Sequence, residues 1–195
     1  MESEGRLDGG RHIDGTKFST RGDGSECLTV VSSSVEETQR LGAALGRLLR
    51  PGDLILLQGP LGAGKTCFTQ GIARGYGYTG RVISPSFTLA NVYELPGGRP
   101  PLYHLDLWRI KSPAEALGLG LEEYISGGGV CVIEWPEIAE TVLPYEYLRV
   151  RIEPKGDSRS FEMCAVGARP RALLEQLRAS LPAEVSSGGA VAPRH

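Results

Sequence analysis

From Cys27 to Leu181 short, unbroken apolar runs take turns with longer stretches whose apolar residues recur every third or fourth position, the rhythm of strands and helices. CLTVVS predicts a strand. The stretch SSVEETQRLGAALGRLL predicts a helix, with Ser34 and Glu37 at capping-box spacing ahead of Leu41, Leu45 and Leu48. DLILLQ is apolar without alternation, which suits the middle of a parallel sheet covered on both faces. A glycine-rich loop follows it, then a helical stretch, KTCFTQGIARGYG, closed by Gly75 or Gly77. Further strands are predicted at FTLANVYEL, PLYHLDLW, GVCVIEW, YLRVRIEP and RSFEMCAV, and further helices at SPAEALGL, at LEEYI and from Pro170 to Ser180. The turn-rich ELPGGRPPLYH predicts a hairpin, so part of the sheet should be antiparallel.

The two ends read differently. Residues 1–26 are rich in glycine and charge and poor in large apolar groups, and residues 182–195 are rich in Ala, Ser, Gly and Pro. Neither can offset the entropy of ordering itself, so both are expected as disordered tails around one domain spanning 27–181. At 195 residues and 41% hydrophobic, the chain can bury one sizeable core. A net charge of -2 and a pI near 6.0 supply no broad attraction to nucleic acid or anionic membrane. The start of the chain has no apolar core of signal-peptide length and no later run approaches a membrane span, so a cytoplasmic protein is expected. Cys27, Cys67, Cys131 and Cys164 lie far apart without a CxxC pair and are expected as reduced thiols.

The chemistry concentrates in LQGPLGAGKT. Gly59, four residues, Gly64, Lys65 and Thr66 satisfy GxxxxGK[ST]. Glycines let the backbone of Gly59, Pro60, Leu61, Gly62, Ala63 and Gly64 curl so that successive N–H groups point inward at phosphate oxygens, and the following helix adds its positive end. Lys65 would bridge the β- and γ-phosphates, and the Thr66 hydroxyl would join Mg²⁺. The expected fold is therefore α/β, a P-loop NTPase-like three-layer sandwich with a mostly parallel central sheet and an antiparallel hairpin portion. Such a loop needs a carboxylate at a strand's C-terminal end. Asp106 in LYHLDLW and Glu134 in VCVIEW qualify, and an acid after four apolar residues at a buried edge is costly without a partner. Spacing leaves open which of the two activates water and which meets the metal. SPSFTL offers hydroxyls, Ser86 and Thr88 among them, for a segment that senses the γ-phosphate. His104 reads as a satisfied strand histidine, and Trp135 as core or a partner contact.

Taken in order, GPLGAGKT, SPSFTL, YHLDLWR, GLEEYI and VIEWPE resemble the bacterial TsaE family, also called YjeE, over about Ser34 to Arg159. The resemblance implies a small ATPase needed to form N6-threonylcarbamoyladenosine beside the anticodon in tRNAs reading codons that begin with A. It implies ATP and Mg²⁺ as ligands, Thr66 and Glu134 at the metal, Asp106 close to the metal and its water, and Thr88 in the switch segment. It also implies partners, a threonylcarbamoyl-transferase subunit (TsaD-like) and its companion (TsaB-like), whose turnover the hydrolysis drives, with tRNA engaged only through the complex. Ser34 and Val35 before the first helix, and Ser158 and Arg159 in a later turn, would contact the base or ribose. Where the family commonly has Asp in the loop, this chain has Pro60, which removes a carboxylate near the phosphates but not the backbone cradle. A small-molecule kinase would need a basic lid, and no Arg- or Lys-rich lid segment is evident; a GTPase would need NKxD, which is missing. A nucleotide-binding adaptor without catalysis is the other alternative, against which stand Lys65, Thr66, Asp106 and Glu134 together.

Overall fold

The computed structural model describes Lys17–Thr20 and residues 26–181. Along the chain run β1 (Lys17–Thr20), β2 (Glu26–Ser32), α1 (Val35–Gly46), β3 (Leu54–Gln58), α2 (Lys65–Tyr76), β4 (Ala90–Tyr93), β5 (Leu102–Asp106), α3 (Pro113–Gly118), α4 (Leu121–Ser126), β6 (Val130–Glu134), β7 (Tyr147–Lys155), β8 (Ser158–Val166) and α5 (Ala168–Ser180). In the described residues the strands form a single sheet in the order β1-β2-β8-β7-β3-β6-β5-β4. Its centre, β7-β3-β6-β5, is parallel. Antiparallel ladders flank it on both sides, so the antiparallel portion is larger than one hairpin. The expected hairpin does join β4 to β5 through a 3-10 turn at Pro96–Gly98.

The unalternating β3 is explained by its two neighbours. Ile55 and Leu57 face a core shared with Leu41, Leu45, Phe68, Ile72 and Leu174. Leu54 and Leu56 face a second core with Leu105, Leu107, Leu121 and Ile133. Helices therefore cover both faces, the three-layer arrangement that a continuously apolar strand requires.

Helices α1 and α2 touch backbone to backbone. A Cβ built on Gly42 would lie 2.4 Å from the Phe68 carbonyl oxygen, on Gly46 2.2 Å from that of Ile72, on Gly71 2.3 Å from that of Gln39, and on Gly75 2.2 Å from that of Ala43. Two glycines four residues apart on each helix thus form one face apiece, and the faces interlock. Gly75 lies inside α2, and the helix ends instead on Gly77, whose φ of 112° and N–H to the Ala73 carbonyl make an αL cap. At the start of α1 the Ser34 hydroxyl accepts from Glu37 N–H at 3.1 Å, while the Glu37 carboxylate accepts from Ser33 N–H at 2.7 Å. The capping box is present, shifted one residue toward the N-terminus on its return bond.

Two expectations are corrected. Lys17–Thr20, inside the segment read as tail, pairs antiparallel with β2 from Lys17↔Thr29 to Thr20↔Glu26. An open sheet edge offers backbone donors and acceptors whatever side chains the added strand carries, so low hydrophobicity does not preclude it. The rest of the expected tails lies outside the described residues. Cys27 and Cys164 are joined in a disulfide, not held as thiols, because the β2–β8 register sets them directly opposite with Cα atoms 4.2 Å apart. Cys67 and Cys131 are free. Among the described residues no helix is long and apolar enough to cross a membrane.

Candidate nucleotide site

The loop between β3 and α2 is shaped by its glycines. Gly59 has φ 140°, and a Cβ there would meet the Ile152 carbonyl oxygen, so the loop leaves the sheet only along a path open to glycine. Gly64 caps α2 with φ 107° and no side-chain hydrogen bond, so the first N–H groups of the helix are not capped by a side chain at the end where an anion is favoured. Phosphate-binding geometry of this kind recruits a cation, and Lys65 supplies it at the first turn. Its Nζ donates to the carbonyls of Gly59 at 2.8 Å and Pro60 at 3.1 Å and rests 3.8 Å from the centroid of the Trp135 ring. Burial pulls the Lys65 ammonium below its usual range, and the carboxylates of Glu134 and Asp106 work against that pull.

Parallel pairing of β5 with β6 puts Asp106 in register with Glu134 at the strands' C-terminal ends. Both side chains are buried, at 6% and 3% exposure, and among the described residues neither forms an ion pair with lysine or arginine. Their partners are hydroxyls, a backbone N–H and an imidazole. Glu134 Oε1 accepts from the Thr66 hydroxyl at 3.0 Å and stands 2.9 Å from His104 Nε2. Asp106 Oδ1 accepts from Trp108 N–H at 2.9 Å, and Oδ2 accepts from the hydroxyls of Ser84 at 3.2 Å and of Ser86. One hydroxyl and two buried carboxylates converging beside a phosphate loop are an oxygen-only donor set, the kind that suits a hard divalent cation. A cavity of about 380 Å³ joins these groups, lined by Leu61, Gly62, Gly64, Lys65, Thr66, Cys67, Ser84, Ser86, Asp106, Trp108, Glu134 and Trp135. Leu61 and Trp108, which line it, are 82% and 54% exposed, unusual for large apolar side chains sharing one cavity.

The residues expected from sequence separate into groups. Gly59 through Thr66, Asp106, Glu134 and Ser86 come together. Ser34, Val35, Ser158 and Arg159 sit at the flank of the loop and do not line the cavity. Ser33 and Ser158 hydroxyls lie 3.1 Å apart, the Val35 carbonyl accepts from Cys67 Sγ at 3.8 Å, and a Cβ on Gly64 would touch Arg159 Cδ at 3.5 Å. Thr88 turns elsewhere, its hydroxyl donating to the Pro85 carbonyl and to Asn91. Trp135 packs within the chain, 4.3 Å from the Trp108 ring, on a backbone with φ 57° that a bulky residue seldom adopts. Sequence reasoning offered Ser84 only as one hydroxyl of SPSFTL, and it missed Trp108 and the tie between His104 and Glu134. A signal for the last exists: His104 lies two residues before Asp106, so alternation sets both on one face of β5.

Comparison with known proteins adds to this geometry. The family model for the threonylcarbamoyl adenosine biosynthesis protein TsaE matches residues 32–161. Relatives described as tRNA threonylcarbamoyladenosine biosynthesis protein TsaE include one from Bacillus subtilis, 43% identical over 73% of this chain and 88% of its own length, and one from Treponema pallidum, 46% identical over 60% of this chain and 84% of its own. A crystal structure of YdiB from Bacillus subtilis superposes with a TM-score of 0.69 at 37% identity, covering 80% of this chain and 96% of that one. The match spans the phosphate loop, both buried acids and the strands that carry them, and the chain belongs to the TsaE family of tRNA threonylcarbamoyladenosine biosynthesis proteins.

Proposed function

We propose that this chain is a Mg²⁺-dependent ATP hydrolase of the cytoplasm whose turnover drives a partner transferase complex that places the threonylcarbamoyl group on N6 of the adenosine next to the anticodon. The observation that carries the reading is the Thr66 hydroxyl 3.0 Å from buried Glu134, with Asp106 in register on the adjacent strand, all facing a phosphate loop. Thr66 and Glu134 would hold the cation, which when bound neutralises charge on the β- and γ-phosphate oxygens. Lys65 exchanges the loop carbonyls for phosphate oxygens and follows the charge of the leaving phosphoryl group. Asp106, fixed through both oxygens, is the residue suited to orient attacking water, because a carboxylate held by Trp108, Ser84 and Ser86 keeps its direction without a cation.

The exposed apolar rim of Leu61 and Trp108 supports completion in trans. A TsaD-like subunit with its TsaB-like companion would cover it, exclude water and raise the hydrolysis rate. The test is phosphate release from ATP by the full chain, alone and with the partner pair, without any acceptor. The expected outcome is slow release alone and faster release in complex. Glu134→Ala should lose hydrolysis while keeping part of the nucleotide affinity, and Lys65→Ala should lose both. Equal rates with and without the partners, or an unchanged rate in Glu134→Ala, would refute the reading. Phosphate appearing only on an added small molecule would establish a kinase instead.

A further inference from the structure

His104 is fully buried, an expensive place for an imidazole unless it is satisfied at both nitrogens. Its Nε2 is 2.9 Å from Glu134 Oε1, and since an ionised carboxylate only accepts, Nε2 carries the hydrogen. Oε1 thereby takes two donors, His104 and Thr66. No hydrogen bond among the described residues reaches Oε2, and Glu134 lines the cavity. A carboxylate free to rotate would spread both oxygens over many directions. Anchoring one leaves the other aimed.

On its far side the imidazole meets Tyr93, with Nδ1 3.5 Å from the phenol oxygen. The phenol's single proton is shared between Nδ1 and the Ile83 carbonyl, 3.0 Å away, and the phenol oxygen accepts from Ile83 N–H at 3.3 Å. Both backbone groups of Ile83 are therefore held by one side chain. The next residue, Ser84, and then Ser86 hold Asp106. The contacts close a ring: Glu134, His104, Tyr93, Ile83, Ser84, Asp106, and back to Glu134 across the β5–β6 register. Two side chains thus link Glu134 to Ile83, and Ile83 leads directly into the segment that carries the cavity's hydroxyls.

We propose that His104 is the positioning residue that aims Glu134 at the cation, and that Tyr93 transmits what Glu134 holds to the segment from Ile83 to Leu89. The proposal rests on the cation site of the preceding section. Conserved practice in metal sites is that the group hydrogen-bonded behind a ligand fixes its orientation, and losing that group weakens metal binding by about 10- to 100-fold.

The experiment uses the full chain with Mn²⁺ as the probe, followed by electron paramagnetic resonance beside saturating ADP, and ADP binding in chelator as the control for folding. In His104→Asn the amide reaches only as far as Nδ1 and cannot touch Glu134; in His104→Gln the longer amide reaches the Nε2 position. The expected result is a loss of Mn²⁺ affinity of about 10- to 100-fold in H104N, recovery to within about 3-fold of wild type in H104Q, and metal-free ADP affinity within about 3-fold in both. Tyr93→Phe should keep Mn²⁺ affinity but abolish the Mn²⁺-dependent rise in hydrogen-exchange protection at residues 83–89. An H104N protein that binds Mn²⁺ as wild type does, or an H104Q no better than H104N, overturns the role of His104. Full Mn²⁺-dependent protection in Y93F overturns the role of Tyr93. A wild-type protein that takes up no Mn²⁺ beside ADP overturns the cation site itself, and the inference with it.

Discussion

Substituting Gly71 by alanine tests whether the phosphate-loop helix is positioned by backbone contact with α1. The added methyl would stand 2.3 Å from the Gln39 carbonyl oxygen and 2.9 Å from its carbonyl carbon, both backbone atoms that cannot rotate away. Reaching an ordinary contact of about 3.5 Å requires the helices to part by about 1.2 Å, which forfeits about half of the dispersion energy across the seam. Overpacking of this kind costs about 1–3 kcal/mol, while replacing a mid-helix glycine returns about 0.5–1 kcal/mol, so the net expected loss is about 1–2 kcal/mol. In a chain of this length that lowers Tm by about 2–8 °C. The control is Gly118→Ala, at the end of α3, where nothing lies within 4 Å of the added methyl. It should be neutral or stabilising by up to about 1 kcal/mol. Urea unfolding at equal m-values measures both. Because Gly71 sits six residues past Lys65 on the same helix, the displacement should also weaken ADP binding in G71A and leave it unchanged in G118A. A G71A protein as stable as G118A would show that the seam is soft and that the glycines do not set the helix position.

Three further outcomes are expected. Asp53, 7% exposed, takes a two-pronged bond from Arg169 (Nε 2.9 Å, Nη2 2.7 Å) and one from Arg50 N–H at 2.7 Å; Asp53→Ala should lower the urea-derived stability by about 2–3 kcal/mol, and a loss under about 0.5 kcal/mol would refute its importance. Reducing the Cys27–Cys164 bridge, which spans 137 residues, removes a constraint on the unfolded chain worth up to about 5 kcal/mol, so Tm should fall on adding reductant and stay unaffected by it in a Cys27→Ala, Cys164→Ala protein. Burial raises the Cys67 thiol above its ordinary range, with Arg159 opposing, so its alkylation rate should reach half-maximum at higher pH than that of a free cysteine peptide; ADP in the cavity should slow it further, and equal rates with and without ADP would place the nucleotide elsewhere.

What sequence reveals here depends on how far apart the cooperating residues lie. The phosphate loop was legible because its parts are neighbours in the chain and each glycine answers a local backbone demand. The buried acids were legible one at a time, as charges at the ends of apolar runs, since burial of an unpartnered carboxylate is costly wherever it occurs. Pairings set by register were not. Cys27 meets Cys164 because β2 and β8 align at one offset, and a shift of a single residue would send the two thiols to opposite faces. Edge strand Lys17–Thr20 was hidden for a related reason, since its stabilisation comes from the β2 backbone and leaves little mark on its own side chains.

The same distinction explains why Thr88 and Ser84 exchanged importance. From sequence, the hydroxyls of SPSFTL are equivalent candidates. In the fold, Tyr93 and Asn91 hold Ile83 from β4, and of the side chains that follow, Ser84 and Ser86 turn toward Asp106 and Thr88 back onto the turn at Pro85. The segment is thus held at its attachment point by β4 as well as by its own Ser84–Ser86 and Thr88–Pro85 bonds. Changing Ile83's attachment should therefore redirect these hydroxyls, which is why Tyr93, remote from the cavity lining, is the position where the site's sensitivity to its contents is best probed.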